Sequence, residues 1–118
     1  MANPVVHFEI MAGRNVEAVR RFYADVFEWT IDADNPMKYG VVTPVAPGIG
    51  GGIAEASNGQ SSVTVYVHAD DLPATLARIE AHGGTTTMPP MDIPFAKISI
   101  ATFKDPAGNQ IGLVKPWM

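Results

Sequence analysis

Two ionisable side chains stand close together near the N-terminus, His7 and Glu9, one residue apart in the run Val5-Val6-His7-Phe8-Glu9-Ile10-Met11. Alternation of this kind reads as a β-strand, whose side chains split between two faces. Val6, Phe8 and Ile10 form an apolar face that packs against a helix. Val5, His7, Glu9 and Met11 form the other. A carboxylate beside an imidazole raises the imidazole pKa and orients its tautomer. Such a pair can act in acid–base catalysis. The plainer alternative is a cavity-lining histidine bonded to an ordinary strand carboxylate. A second polar row occurs in Val63-Thr64-Val65-Tyr66-Val67-His68, where Thr64, Tyr66 and His68 share a face. Lining a cavity, they offer hydrogen bonds to a polar ligand. Facing solvent, they mean little.

The elements that position these groups repeat. Val16, Val19, Phe22, Tyr23, Val26 and Phe27 recur at helical spacing, and Asn15 is the expected N-cap of a helix ending near Phe27. Tyr39 to Thr43 reads as a strand, and Gly48 to Gly52 as a glycine-rich turn into Ile53-Ala54-Glu55. It is no phosphate loop, because no Lys-Ser/Thr follows. A polar stretch from Ser57 to Ser62 links the halves. In the second half, Asp70 or Asp71 caps a helix with Leu72, Leu76 and Ile79 as its stripe. Gly83-Gly84 closes that helix. Thr85 to Met88 is a short strand broken by Pro89-Pro90, Ile98 to Phe103 another. Asp105-Pro106-Ala107-Gly108-Asn109 turns into Ile111 to Val114. A constant offset of 57 carries the first strand onto Val63–His68, Val19 onto Leu76, Val41 onto Ile98 and Gly51 onto Gly108.

The chain has 118 residues, the size of one domain, with 47% hydrophobic and 17% charged residues, which is not the composition of a disordered chain. A net charge of −4 with scattered Lys and Arg argues against a nucleic-acid partner. The absence of cysteine removes disulfides, thiolate metal sites and thiol nucleophiles. No apolar run is long enough to cross a bilayer, and nothing near the start reads as a signal peptide, so a cytoplasmic location is expected.

Read in order, the sequence resembles the vicinal oxygen chelate superfamily of glyoxalases, bleomycin-resistance proteins and extradiol dioxygenases. The resemblance rests on Val6-His7-Phe8-Glu9-Ile10, Arg21-Phe22-Tyr23-Ala24-Asp25-Val26-Phe27-Glu28-Trp29, Tyr66-Val67-His68-Ala69-Asp70-Asp71-Leu72, Ile79-Glu80-Ala81-His82-Gly83-Gly84 and Phe103-Lys104-Asp105-Pro106-Ala107-Gly108-Asn109-Gln110-Ile111-Gly112-Leu113. It implies an α+β fold, two tandem βαβββ modules forming a half-barrel around a cavity. Residues 1–118 would form a single domain, with module one at 1–57 and module two at 62–118. It also implies a divalent metal (Zn, Ni, Fe or Mn) held by a first-strand His and a last-strand Glu from each module. His7 stands at the first such position, and Glu55 at the second if the offset of 57 holds to the end of the module. With an offset of 58, Ala54 stands there instead. Thr64 and Gly112 fill the remaining two positions with non-ligands, so the expectation is either a weak metal site of His7 and Glu55 or, in preference, no metal. The function implied is binding of a small organic molecule between the modules, with lyase, isomerase or dioxygenase chemistry through His7 and Glu9. The alternatives are a non-catalytic, drug-sequestering protein or an interaction module without a ligand. Family members of this size commonly pair, so the resemblance implies a homodimer, with neither nucleic acid nor membrane as partner.

Overall fold

The computed structural model describes residues 2–117. In chain order the elements are β1 (Val5–Ala12), α1 (Val16–Phe27), β2 (Ile31–Asp32), β3 (Gly40–Val42), β4 (Gly50–Glu55), β5 (Ser62–His68), α2 (Leu72–Ala81), β6 (Thr85–Ile93), β7 (Ile98–Lys104) and β8 (Gln110–Pro116). The fold is α+β, and the βαβββ order occurs twice. The chain divides into two compact units, one of residues 7–64 and one of residues 65–117 with the N-terminal segment up to Val6.

In the first unit the strand order is β2-β3-β4-β1, with β1 parallel to β4 and the other pairs antiparallel. Phe8 pairs with Gly51 and Ile10 with Ile53. These residues form the face that α1 covers, and Ile53 is fully buried. Arg20 ties the helix to the sheet. Its Nε donates to the Ile53 carbonyl at 3.0 Å, and its Nη2 to the Lys38 carbonyl at 2.6 Å. Gly40 makes room for that guanidinium, since a Cβ there would lie 2.6 Å from Arg20 Nε. Past the helix, Trp29 stacks on Tyr23 at 5.2 Å between ring centroids and tilts against Phe8 at 5.4 Å. Asn15 holds the N-cap position, but by a left-handed backbone (φ 59°) and without a side-chain cap bond. Asparagine tolerates that conformation better than most residues. The glycine-rich segment also departs from expectation. Gly50, Gly51 and Gly52 are strand residues of β4, all paired with β1 and the last two also with β3, and only what precedes them is loop.

In the second unit the order is β5-β8-β7-β6, with β5 parallel to β8. Leu72 and Leu76 of α2 bury against Ala69, Ala101 and Leu113, with Val67, Ile79 and Phe103 packed at the margin. Asp71 is the residue that caps α2, its carboxylate accepting from the Ala74 amide at 3.0 Å. Gly83 adopts φ 98°, which lets the Gly84 amide reach back to the Ile79 carbonyl at 2.9 Å. Asp105 Oδ1 accepts from the amides of Ala107 and Asn109, both at 2.9 Å. The Asn109 side chain and these amides hold the Asp105 carboxyl below its ordinary pKa. The β6 strand does not stop at Pro89-Pro90. It runs to Ile93, with register shifts between Thr86 and Met91 that take up the prolines. An edge strand at an irregularity is where proline costs no ladder bond.

Replacing Asp71 with Ala is expected to lower the stability of the protein by about 1 kcal/mol. Urea denaturation checks it, with the transition slope unchanged.

Candidate functional site

The face of the first unit turned away from α1 carries the candidate site. Parallel pairing places His7 opposite Gly50, Glu9 opposite Gly52 and Met11 opposite Ala54. From the other side Val41 pairs with Gly52. One strand, β4, thus offers glycine at Gly50 and Gly52 where one expects side chains, and a residue from outside the strand fills the space over Gly52. Tyr39, just ahead of β3, lays its ring over Gly52, where any Cβ would fall inside the phenol. The Tyr39 hydroxyl stands 2.9 Å from His7 Nε2 and donates to Glu9 Oε2 at 3.0 Å. The His7 and Tyr39 rings lie nearly parallel, 21° apart, at 6.2 Å. The Tyr39 backbone is clamped on both sides by Asn35. The Tyr39 amide donates to Asn35 Oδ1 at 2.9 Å, and Asn35 Nδ2 donates to the Tyr39 carbonyl at 2.7 Å.

A phenol carries one hydrogen. Given to Glu9, it leaves the Tyr39 oxygen to accept from His7, so His7 bears its proton on Nε2. Burial pushes the His7 pKa below its ordinary value of 6.5. This corrects the expectation that Glu9 would raise it. Tyr39 stands between the two groups, and desolvation of the imidazole is the dominant effect. The arrangement is a neutral imidazole, a phenol and a carboxyl group in series, and groups in series polarise one another. Chemically it can orient a bound molecule and pass a proton.

Of the residues singled out in the sequence, His7 and Glu9 are brought together, through Tyr39. Glu55 is not brought to them. It pairs with Ala12 at the far end of β4, five residues beyond the partner of His7. At strand rise that is about 16 Å, and the odd count puts it on the α1 face. Tyr66 pairs with Gly112 and covers it, again where a Cβ would meet the ring. Tyr66 is 8% exposed. His68 Nε2 lies 3.6 Å from the exposed carboxylate of Asp70. Thr64 is half-buried on the same strand face.

Tyr39 was missed by sequence reasoning. It lies far along the chain from its partners, and its signal is indirect, a tyrosine at a strand mouth and a glycine inside the neighbouring strand. The register also explains the misplaced Glu55. Glu9 pairs with Gly52 and Tyr66 with Gly112, so the offset of 57 between first strands becomes 60 between last strands. The residue of module one that matches Gly112 is therefore Gly52.

The fold and this face define a small βαβββ-repeat protein with its titratable cluster on the strands. The model of the Glyoxalase/Bleomycin resistance protein/Dioxygenase superfamily matches residues 5–113, and the chain belongs to that superfamily. A superfamily member from Vibrio splendidus 12B01 is similar with a TM-score of 0.67 and 14% identity, over 97% of this chain and 99% of that one. Methylmalonyl-CoA epimerase from Mycobacterium tuberculosis is similar with a TM-score of 0.66 and 14% identity, over 97% and 88%. A hypothetical protein from Bacillus halodurans C-125 gives a TM-score of 0.71 and 12% identity, over 100% and 97%. At these identities the likeness is one of fold. No curated protein matches the chain.

The superfamily often binds metals, and the donor set can be tested against that. Among the described residues no three His, Cys, Asp or Glu side chains form a group that could hold a metal ion. The two last-strand positions are glycines roofed by tyrosine rings. The described residues of one chain do not supply the three or four donors that a metal held by its side chains alone needs.

Two outcomes follow for His7 and Gly52. Because burial lowers the His7 pKa, the unfolded chain binds the extra proton first as pH falls below 6.5. Stability is then complete above that value and declines with pH down to the folded pKa. Chemical denaturation between pH 7 and 5 checks this, and His7→Gln is expected to flatten that part of the profile. Gly52→Ala is expected to leave the fold intact but to displace the Tyr39 ring. Nitrogen-edited NMR of the imidazole is then expected to show the Nε2–H form of His7 in the native protein and tautomer averaging in the variant.

Proposed function

We propose that the protein binds a small organic molecule against the His7–Tyr39–Glu9 face and moves a proton on it, an isomerase- or lyase-type reaction that needs no resident metal. The observation that carries this reading is the Tyr39 hydroxyl, in hydrogen-bond reach of both His7 Nε2 and Glu9 Oε2. A histidine kept neutral is a competent base at neutral pH. The presence of an epimerase among proteins of similar fold is consistent with proton transfer. Thr64, Tyr66 and His68, which share a face of β5, are proposed to offer hydrogen bonds to a ligand on that strand. The protein is further proposed to act as a homodimer. Phe22, Val26 and Phe27 on α1, each more than half exposed, support pairing of two copies.

The second reading is a sequestering protein that binds without reaction. The covering of Gly112 by Tyr66 favours it, because an aromatic wall suits retention of a ligand.

A thermal-shift panel of small aromatics and 2-oxoaldehydes finds a ligand, since a molecule that binds only the folded chain raises its melting temperature. The ligand is then incubated with protein in deuterium oxide. Incorporation of deuterium at carbon, reduced by about 100-fold or more in Tyr39→Phe, is expected for proton transfer. Binding without incorporation supports sequestration and retires the catalytic reading.

A further inference from the structure

A recess lies in the other unit, on the opposite side of its sheet from Tyr66 and Gly112. It has a volume of about 400 Å³ and runs along α2. Its floor is Val67, Ile79, Phe103 and Leu113, and Arg78 and His82 stand at its edge. Three of the floor residues, Val67, Ile79 and Phe103, are the same side chains that pack only partly against the buried core. Among the described residues, the core of this unit thus continues outward into an apolar surface. The volume suits a molecule of one or two aromatic rings.

The edge is polar with one sign of charge. Among the described residues no carboxylate lines the recess. Arg78 is exposed and, among the described residues, forms no ion pair. His82 Nδ1 lies 2.7 Å from the Arg78 carbonyl. A carbonyl can only accept, so Nδ1 carries hydrogen and the ring is tied to the last turn of α2. A free guanidinium over an apolar floor is complementary to a molecule with one flat apolar body and one anionic group, which it can grip with two parallel N–H donors.

We propose that this recess is a binding site for a small amphipathic organic anion, an aromatic or short-acyl carboxylate, separate from the His7–Tyr39–Glu9 face. The apolar body lies on Val67, Phe103 and Leu113, and the carboxylate meets Arg78. The site does not depend on the reading of the first unit, because none of its residues belongs to that face.

The test is an amide NMR titration of the full chain with 2-naphthoate, and with 2-naphthylmethanol as the neutral probe of like shape. Saturable shifts at Val67, Ile79, Phe103 and Leu113 are expected with 2-naphthoate, with weaker binding of the alcohol. Arg78→Gln, a surface change, is expected to weaken 2-naphthoate about tenfold and to leave the alcohol unaffected. Four results overturn the proposal. The first is no saturable shift, and the second is equal affinity of both probes. The third is shifts confined to β1 and β4, which assigns the anion to the other face. The fourth is shifts of the recess residues with protein concentration alone, which assigns it to a second copy of the chain.

Discussion

The missing Cβ of Gly52 is the constraint on which the candidate site depends. A strand residue opposite Glu9 would ordinarily put a side chain beside it. Glycine leaves the sheet surface flat, and the Tyr39 ring lies down on that flat. Only from there does the phenol oxygen reach both His7 and Glu9. The saving is steric, since Gly52 is extended backbone that any residue could adopt. The clamp from Asn35 matters for the same reason. It fixes the backbone from which the ring swings, so the hydroxyl is positioned by four hydrogen bonds and one contact surface.

Much of the fold was legible because its signals are local. The alternation in Val5–Met11 and Val63–His68 and the stripe of α2 need no knowledge of distant contacts. The stripe read for α1 holds only in part, since Phe22, Val26 and Phe27 are more than half exposed. The Asp-Pro-x-Gly-Asn turn is similarly self-contained, since Asp105 bonds to residues within the same loop. Reading failed where an element's state is decided by its neighbours. Gly50 to Gly52 have no propensity for strand, and they are strand because β1 pairs with all three and β3 with Gly51 and Gly52. Pro89-Pro90 reads as a break, and the strand passes it because an edge position tolerates the lost donors.

The candidate site shows the same division. His7 and Glu9 were readable as one face of one strand. Tyr39 was not, because sequence spacing carries no register between β1 and β3, which touch only through β4. The Glu55 expectation failed for a related cause. An offset taken from first strands was extended across a module whose β6 counterpart differs in length, two residues in β2 against nine in β6. An error of three residues moved a carboxylate to the wrong face as well as the wrong place, since three is odd.

That displacement bears on how the two modules use one plan. In each, a tyrosine ring roofs a glycine of the last strand, Tyr39 over Gly52 and Tyr66 over Gly112. The rings arrive differently. Tyr66 stands on the strand paired with its glycine, while Tyr39 reaches over from the loop before β3. Tyr66 therefore caps its own register partner, a packing solution that any buried sheet glycine invites. Tyr39 covers a glycine whose partner is Glu9, and so its hydroxyl ends beside a carboxyl group and an imidazole. The same steric device gives a packed wall in one unit and a hydrogen-bonded chain of titratable groups in the other. What separates the two outcomes is which strand lends the ring.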